Sequence, residues 1–280
     1  MEIYHFSGAG NDFVVIDGRE GDVSAFREVP RIEALCKEYK TDGLMILGMP
    51  DQVGHDVMAD PDRPSVDFTM EFYNPDGSGG MMCGNGGRCI VAFADYLGIK
   101  PSCHPALAEG SYLFMAPDGL HTGEILERPE DGLWTVRIKM IDVQGITPML
   151  GGYFLNTGTR HFVKFVDDVE QVDVDAEGKA LRWNEAFAPI GTNVNFVHVA
   201  PDGLHVRTFE KGVEGETLAC GTGLTASALV AHHAGVPTAT PGAYRLRARQ
   251  DWLSVNFTPG ADEKFTDVYL TGPARLVEIR

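Results

Sequence analysis

Two short segments of the 280-residue chain have nearly the same sequence. Residues 82–88 read MCGNGGR and residues 219–225 read ACGTGLT, so each segment has a cysteine followed by Gly, a polar residue and Gly. The two cysteines, Cys83 and Cys220, lie 137 residues apart (220 − 83 = 137). Each motif leads into an apolar segment that stops at a glycine, in the same register. This repeat predicts a chain built from two similar halves.

The segments after the two cysteines predict one buried helix in each half. Residues 90–97 and 226–231 are apolar on nearly every helical face, and a helix that is apolar all round lies in a core. The segments stop at Gly98 and Gly235, with a proline shortly after each, which is a typical helix end. Helical spacing of apolar residues, with a proline suited to the first turn, predicts a third helix at residues 30–39.

Short apolar segments separated by Gly, Asp and Pro clusters predict strands. These segments are residues 12–16, 44–47, 66–72, 112–115, 133–140, 161–166, 194–199, 204–209, 252–257 and 274–279. The pattern therefore predicts an α/β (α+β) chain of two strand-rich domains with one central helix each. We place the boundary at the turn of residues 118–120. This choice gives an N-terminal half of residues 1–119 plus 271–280 and a C-terminal half of residues 120–270.

Composition and charge limit the partners of this chain. The formal net charge is −17, so nucleic acid and anionic membranes would repel it. No apolar stretch approaches the roughly 18 residues of a membrane span, and the first residues do not read as a signal peptide. Five cysteines without a Cys-x-x-Cys pair favour neither a disulfide framework nor structural zinc. We expect a cytoplasmic protein that binds a small molecule and no metal.

The cysteine motifs are suited to moving a proton at a carbon atom. A helix N-terminus presents N–H groups and the positive end of the helix dipole. It therefore lowers the pKa of a thiol from about 8.5 toward neutrality and can stabilise a carboxylate that gains charge. The glycines of each motif let the backbone approach a ligand closely. Two thiols on opposite faces of one carbon can take a proton from one face and return it to the other, as in a cofactor-free racemase or epimerase. We predict that Cys83 and Cys220 form this pair in a cleft between the halves.

Four segments, in order along the chain, resemble the diaminopimelate epimerase family. They are residues 8–15 (GAGNDFVV), 74–77 (NPDG), 82–89 (MCGNGGRC) and 215–223 (GETLACGTG). The resemblance implies two pseudo-symmetric, barrel-like domains with the active site between them. It implies an enzyme that works without pyridoxal phosphate or metal and interconverts LL- and meso-diaminopimelate in bacterial lysine and cell-wall synthesis. It also implies a homodimer.

The resemblance assigns roles to individual residues. Cys83 and Cys220 would be the two acid/base thiols, and His161 and Glu210 would sit beside them and influence their protonation. The reacting carboxylate would be held by residues at the two helix starts: Gly84, Asn85, Gly221 and Thr222. The rest of the substrate site would be lined by Asn11, Asn74, Asn193, Glu210 and Lys211.

Three places depart from the family pattern. Thr159 and Arg160 stand where the family commonly has Asn or Ser followed by Pro. Lys211 replaces an arginine, and Asp42 is followed by Gly43 where many members have Gln. Arginine holds a carboxylate with a two-pronged fork, whereas lysine offers a point charge. These positions therefore bear on recognition of the distal carboxylate of the substrate, for which Arg160 is a second candidate cation.

Three other functions are compatible with the motifs. A racemase of the same fold would act on another amino acid or on a proline-like imino acid, and kinetics on a small substrate panel would reveal it. A thiol-redox protein would use Cys83 and Cys220 as a switchable pair and would leave α-protons untouched. A binding module would keep the fold without turnover, and the intact cysteines argue against it.

Overall fold

The computed structural model describes residues 1–50, 65–80, 82–102, 104–105 and 107–280. The chain divides into two compact units. Unit 1 consists of Met1–Ile138 together with Pro273–Arg280, and unit 2 consists of Lys139–Gly272. None of the helices in the described part of the chain has the length and hydrophobicity of a membrane span.

In the described residues of unit 1, strands alternate with two helices. Its elements are β1 Ile3–Gly8, β2 Asn11–Asp17, α1 Val29–Tyr39, β3 Gly43–Gly48, β4 Phe68–Tyr73, α2 Gly84–Tyr96, β5 Ser111–Ala116, β6 Gly119–Glu130 and β7 Leu133–Lys139. A single 3-10 turn, Ser24–Arg27, is described before α1.

Unit 2 repeats this arrangement with more short strands. Its elements are β8 Val143–Gln144, β9 Thr147–Met149, β10 Gly152–Asn156, β11 Arg160–Phe165, α3 Val174–Arg182, β12 Asn193–Ala200, β13 Gly203–Glu210, β14 Gly215–Thr217, α4 Gly221–His233, β15 Ala243–Arg247, β16 Trp252–Pro259 and β17 Lys264–Ile279. Short 3-10 turns at Val169–Gln171 and Glu185–Phe187 flank α3. The last residues of β17 belong to unit 1.

The two units have the same strand pairings in the same order. In unit 1, β1 and β2 are antiparallel, β2 and β3 are parallel across α1, β3 and β4 are antiparallel, and β4 and β5 are parallel across α2. Unit 2 has the same order of pairings: β10 and β11 are antiparallel, β11 and β12 are parallel across α3, β12 and β13 are antiparallel, and β13 and β15 are parallel across α4. This matching topology agrees with the duplication that the cysteine repeat predicts.

The strands of each unit curl into a barrel-like sheet. In unit 1, β1 to β7 pair in chain order, and β17 pairs with both β7 and β1. In unit 2, the sheet continues from β9 and β10 through β13, β15, β16 and β17 to β8. The predicted fold class, two strand-rich α+β barrel-like domains, is confirmed.

One buried helix packs against the strands of each barrel, as the apolar pattern predicts. In α2 the residues from Gly84 to Ala94 are all buried, and the helix contacts β1, β2, β3 and β6. In α4 most residues are buried, and the helix contacts strands from β10 to β16. Both helices have 13 residues and begin directly after the motif cysteines. The helices therefore place Cys83 and Cys220 at equivalent positions of the two units.

The other two helices cover the sheets from outside. In unit 1, Ile32 and Leu35 of α1 pack against β2 and β3 in one apolar cluster. In unit 2, Val174 of α3 belongs to a cluster with Phe196 and Phe209 of β12 and β13. The sequence predicts α1 but not α3, because α3 is short, mostly polar and interrupted by a glycine.

The division between the units differs from the boundary predicted in the sequence. Residues 118–120 form the tight connection of the hairpin between β5 and β6, with Ala116 opposite Gly119. Since β6 and β7 pair with this hairpin, they remain in unit 1. The chain passes into unit 2 after Ile138 and returns at Pro273.

Candidate active site

Cys83 caps the N-terminus of α2. Its backbone is extended (φ −96°, ψ 145°), and Gly86 N donates a hydrogen bond of 3.1 Å to Cys83 Sγ. The first bond of the helix runs from Gly87 N to Cys83 O at 2.7 Å. An N–H donor and a helix start both favour the thiolate over the thiol. Unit 1 therefore holds a sulfur atom in a setting suited to a base.

Glycine at position 86 suits the close packing of this cap. A Cβ on Gly86 would lie 3.2 Å from Cys83 Sγ and 3.3 Å from Met45 Sδ, which is closer than ordinary van der Waals contact. The glycine lets the N–H group reach the sulfur without a side chain between the strand β3 and the helix.

Polar side chains form hydrogen bonds with the first turn of α2. Arg88 is fully buried, and its Nη2 donates to Asn85 Oδ1 at 2.9 Å while its Nη1 donates to Gly84 O at 3.2 Å. Asn85 Nδ2 in turn donates to Asn11 Oδ1. Asn11 Nδ2 donates to Asp42 Oδ2 at 3.2 Å. Unit 1 therefore brings Asn11 and Asn85, two predicted substrate ligands, into direct contact, and Arg88 fixes the amide of Asn85.

Cys220 caps the start of α4 differently. Its side chain makes no capping hydrogen bond to the first turn of the helix. Its Sγ instead lies 3.5 Å from the hydroxyl of Thr222. The first bond of the helix runs from Leu224 N to Cys220 O at 2.9 Å, which is the same helix start as in unit 1. The two thiols thus share a backbone position and differ in the group that contacts the sulfur.

His161 lies behind Thr222 and is completely buried. Its Nε2 lies 3.0 Å from Thr222 Oγ1 and 2.9 Å from Thr159 Oγ1, and its Nδ1 lies 3.0 Å from Asn195 Nδ2. Burial lowers the pKa of His161 to about 3. At neutral pH the imidazole is therefore uncharged, and it acts on its surroundings through hydrogen bonds.

The end of β13 holds another group of predicted residues. Asn193 Oδ1 accepts a hydrogen bond of 2.8 Å from Lys211 N, and Asn193 Nδ2 donates to Arg160 O at 2.9 Å. Glu210 Oε2 accepts a hydrogen bond of 2.8 Å from Thr217 Oγ1. The side chain of Lys211 is exposed. Asn193 therefore joins β11 to the turn after β13, and it orients Lys211 through the backbone.

Asn74 forms part of a turn after β4. Its Nδ2 donates to Ser78 Oγ at 2.9 Å, and Ser78 Oγ donates to Asp76 Oδ1 at 2.6 Å. These contacts stabilise the NPDG segment as a tight turn.

The departures from the family pattern have a structural setting. The Arg160 guanidinium lies over the ring of Phe154, 5.1 Å from its centroid, and donates to Phe187 O at 3.3 Å. This cation is therefore held against the outer apolar cluster of unit 2. A Cβ on Gly43 would lie 2.8 Å from Tyr73 O, so a side chain at this position requires the neighbouring strand β4 to move.

The other described cysteines are less suited to acid–base work. Burial raises the pKa of the Cys89 thiol, which is fully enclosed. Burial also raises the pKa of Cys36, against a smaller opposing contribution from Thr41. Both thiols therefore stay protonated at neutral pH, and helical spacing already predicts Cys36 as a core residue.

Several supporting residues were not predicted from the sequence. They are Arg88 in unit 1, and Asn195 and Thr217 in unit 2. The sequence contains a pattern that indicates one of them. Asn195 follows Asn193 by two residues in an otherwise apolar strand, and this spacing puts both amides on one face. Arg88 closes the first cysteine motif, but its burial depends on the sheet around it.

Comparisons with known proteins first define the fold and then the family. The chain matches a PhzF-family phenazine biosynthesis protein from Bacillus anthracis with a TM-score of 0.70 at 11% identity, covering 100% of this chain and 98% of the other. It matches a probable proline racemase from Agrobacterium radiobacter with a TM-score of 0.63 at 14% identity, covering 100% and 92%. These likenesses establish the two-unit α+β fold of this group of proteins.

The family follows from sequence. Residues 3–113 and 153–277 match the model of the family described as diaminopimelate epimerase. The diaminopimelate epimerase of Chlorobaculum tepidum is 37% identical over 280 residues, which cover 97% of each chain. The chain belongs to the diaminopimelate epimerase family, as the motif resemblance predicts, and it is an isomerase.

Proposed function

We propose that this chain interconverts LL- and meso-diaminopimelate by a two-base mechanism in which Cys83 and Cys220 act on opposite faces of one α-carbon. One observation supports the proposal above the others: each cysteine caps the N-terminus of a buried, 13-residue helix at the equivalent place of its unit. The relatives described as diaminopimelate epimerase support the choice of substrate.

The chemistry balances without a cofactor. A thiolate on one face takes the α-proton and becomes a thiol, and the electron pair left on the α-carbon delocalises into the carboxylate. The N–H groups at the starts of α2 and α4 stabilise this charge. The thiol on the other face then donates its proton to the carbon and becomes a thiolate. The enzyme returns with the protonation states of Cys83 and Cys220 exchanged.

Substitution of each cysteine tests this mechanism. Cys83→Ala or Cys220→Ala should lower the rate of epimerisation by on the order of 10²–10⁴, the usual scale for loss of a general acid or base. In deuterated water, NMR of the parent reaction should show deuterium at the α-carbon of the product. Cys36→Ala serves as the matched control, since Cys36 packs in the α1 core, and it should keep the parent rate. Full turnover by either of the first two variants excludes the two-thiol mechanism.

A racemase of another amino acid or imino acid is the second candidate. It is favoured by the Arg160 guanidinium, which is held by Phe154 and Phe187 rather than presented beside Lys211. A lysine binds a distal carboxylate through one ammonium group, whereas an arginine binds it through a two-pronged fork. The fold is shared with a probable proline racemase.

A substrate panel separates the two candidates. The parent enzyme should give its highest kcat/KM with LL-diaminopimelate, measured beside L-proline, L-lysine and L-glutamate by deuterium exchange at the α-carbon. A preference for an amino acid that lacks the second head group would transfer the assignment to the second candidate and leave the thiol chemistry in place.

We propose a cytoplasmic homodimer that serves bacterial lysine and peptidoglycan synthesis. A compartment that keeps thiols reduced suits an enzyme that depends on two thiols. Analytical ultracentrifugation at micromolar concentration should give about twice the 30.5 kDa mass of the chain. A species of the chain mass alone contradicts the dimer.

A further inference from the structure

Asn195 lies at the centre of a buried hydrogen-bond network in unit 2. It is fully buried on β12, and its Nδ2 lies 3.2 Å from Phe162 O and 3.0 Å from His161 Nδ1. Its Oδ1 accepts a hydrogen bond of 3.0 Å from Thr208 Oγ1. A carbonyl oxygen only accepts hydrogen bonds, so the amide nitrogen of Asn195 must face Phe162 O. The orientation of this amide is therefore determined by the backbone of β11.

The orientation of the amide determines the tautomer of His161. Since Asn195 Nδ2 is a donor, His161 Nδ1 is the acceptor and carries no proton. A neutral imidazole then has its proton on Nε2. The ring stays neutral because burial lowers the pKa of His161. His161 Nε2–H faces Thr222 Oγ1 and Thr159 Oγ1.

The Thr222 hydroxyl links this tautomer to the thiol of Cys220. Thr222 Oγ1 and Thr159 Oγ1 share the Nε2–H of His161. The proton of Thr222 is then available to Cys220 Sγ at 3.5 Å or to Thr159 Oγ1 at 3.2 Å. With a Cys220 thiolate, the hydroxyl donates to the sulfur. With a Cys220 thiol, the S–H group donates to Thr222 Oγ1 and the hydroxyl turns to Thr159. Both protonation states of Cys220 are satisfied without moving a heavy atom.

The start of α4 is shaped around Asn195. A Cβ built on Gly223 would collide with Asn195 Oδ1. Gly223 is buried in the first turn of α4, two residues after the helix begins. The helix therefore approaches the strand β12 closely at this point, and it brings Thr222 within reach of His161.

We propose that Asn195 is a positioning residue that holds His161 as the Nε2–H tautomer and thereby directs the hydroxyl of Thr222 toward Cys220. This inference rests on the proposed function of Cys220 as an acid/base group. In this proposal Asn195 contacts neither the substrate nor the thiol, and it acts through the side chains of His161 and Thr222. A wrong tautomer in an otherwise intact site is known to impair catalysis severely.

The first test needs neither a substrate nor a variant of Asn195. Long-range ¹H–¹⁵N NMR of the full chain labelled with [¹⁵N]histidine, with His161 assigned from its loss in His161→Gln, reports which ring nitrogen carries the proton. We expect a protonated Nε2 and a bare Nδ1 from pH 6 to 9. A protonated Nδ1 in this range overturns the proposal.

The second test measures the link to the thiol. Iodoacetamide labelling of Cys220, followed by peptide mass spectrometry at several pH values, reports the thiolate fraction. Thr222→Val should slow labelling at pH 7 by about tenfold, the effect of losing a hydrogen bond to a charged group, and Thr222→Ser should restore it. Equal labelling of the Val and Ser variants excludes the hydroxyl link.

Asn195→Asp tests the residue itself. A carboxylate only accepts, so His161 Nδ1 must become protonated, which NMR detects. If Nε2 is then bare, it takes the proton of Thr222, and labelling of Cys220 should slow by about tenfold. If both nitrogens are protonated, Nε2–H still faces Thr222 and the new carboxylate balances the imidazolium, so labelling should stay near the parent rate. A bare Nε2 with an unchanged labelling rate refutes the proposal.

Asn256→Asp is the matched control, because Asn256 is exposed on β16 of the same unit. It adds the same negative charge and should leave both the tautomer and the labelling rate as in the parent. Epimerase assays of the parent chain stand apart from these measurements. If the parent is inactive on diaminopimelate but shows the expected tautomer and labelling, the proposed substrate is wrong. If the parent is active on diaminopimelate but the tautomer or the labelling differs from expectation, the proposed role of Asn195 is wrong.

Discussion

Cys83 and Cys220 occupy the same place in their units, yet their sulfur atoms meet different donors. The backbone N–H of Gly86 contacts Cys83, whereas the hydroxyl of Thr222 contacts Cys220. A backbone donor is fixed in direction, and a hydroxyl can rotate between two acceptors. The hydroxyl of Thr222 therefore adapts to either protonation state of Cys220, which changes at each turnover in the proposed two-base mechanism.

The buried neutral His161 makes stability depend on pH. Its pKa is about 3 in the folded chain against an ordinary value of 6.5, so between these values the unfolded chain binds the additional proton. This contribution to stability is fully present above pH 6.5 and is lost as the pH falls toward 3. Between pH 7 and pH 5 the loss should be about 2 kcal/mol of unfolding free energy.

Urea unfolding of the parent and of His161→Gln at the two pH values measures this effect. The variant cannot take up the proton, so its unfolding free energy should fall by about 2 kcal/mol less than that of the parent between pH 7 and pH 5. Parallel pH dependence of the two proteins would show that His161 is already protonated or accessible in the folded chain.

The outer helix α3 depends on one close approach to the sheet. Gly178 is buried in the middle of α3, and a Cβ there would collide with Cβ and Cγ of Phe209 on β13. Phe209 is itself packed in the cluster that α3 covers. Because the colliding atoms lie next to the backbone, the helix or the strand must shift to make room.

Gly178→Ala should therefore lower stability, although alanine is the better helix former. We expect a loss of about 1–3 kcal/mol from overpacking, against a gain of about 1 kcal/mol in helix propensity. Lys179→Ala, at an exposed position of the same helix, is the control and should change stability by less than about 0.5 kcal/mol. Thermal unfolding of the three proteins compares them. A stabilised Gly178→Ala would show that the helix has room to move outward.

The whole chain is a duplicated unit in which β17 ends within the first copy. Each unit has its own central helix, its own outer helix and its own apolar cluster beneath that helix. An equivalent thiol in each unit is the arrangement that duplication of a single capped helix produces. The proposed two-base mechanism takes one cysteine from each copy.

At this scale we expect mild oxidation to inactivate the enzyme reversibly. In the proposed mechanism the two thiols flank one substrate carbon, and they reach the distance of a disulfide if the cleft closes; exchange through the thiolate would then link them. Activity should fall with diamide and return with dithiothreitol, and peptide mapping should find Cys83 joined to Cys220. Inactive protein with both thiols still alkylatable would contradict this mechanism of inactivation, and Cys83→Ala should form no such link.

Local pattern in the sequence determined the repeat, the two buried helices, most strands and the family. These features depend on residue order alone: apolar periodicity, glycine stops such as Gly98 and Gly235, and the Cys-Gly-polar-Gly motif. Both stops are confirmed, with positive φ of 75° and 73°. The roles of Cys83 and Cys220 rest on the same motif and remain predictions.

Only the tertiary structure decided which polar side chains support the cysteines. Asn195 and Thr208 lie on neighbouring strands, His161 on a third and Thr222 on a helix, so their contacts exist only once the sheet is paired. Likewise α3, which the sequence does not predict, forms because β12 and β13 offer an apolar surface to cover. Packing brings together residues far apart in the chain, and no local pattern encodes that proximity.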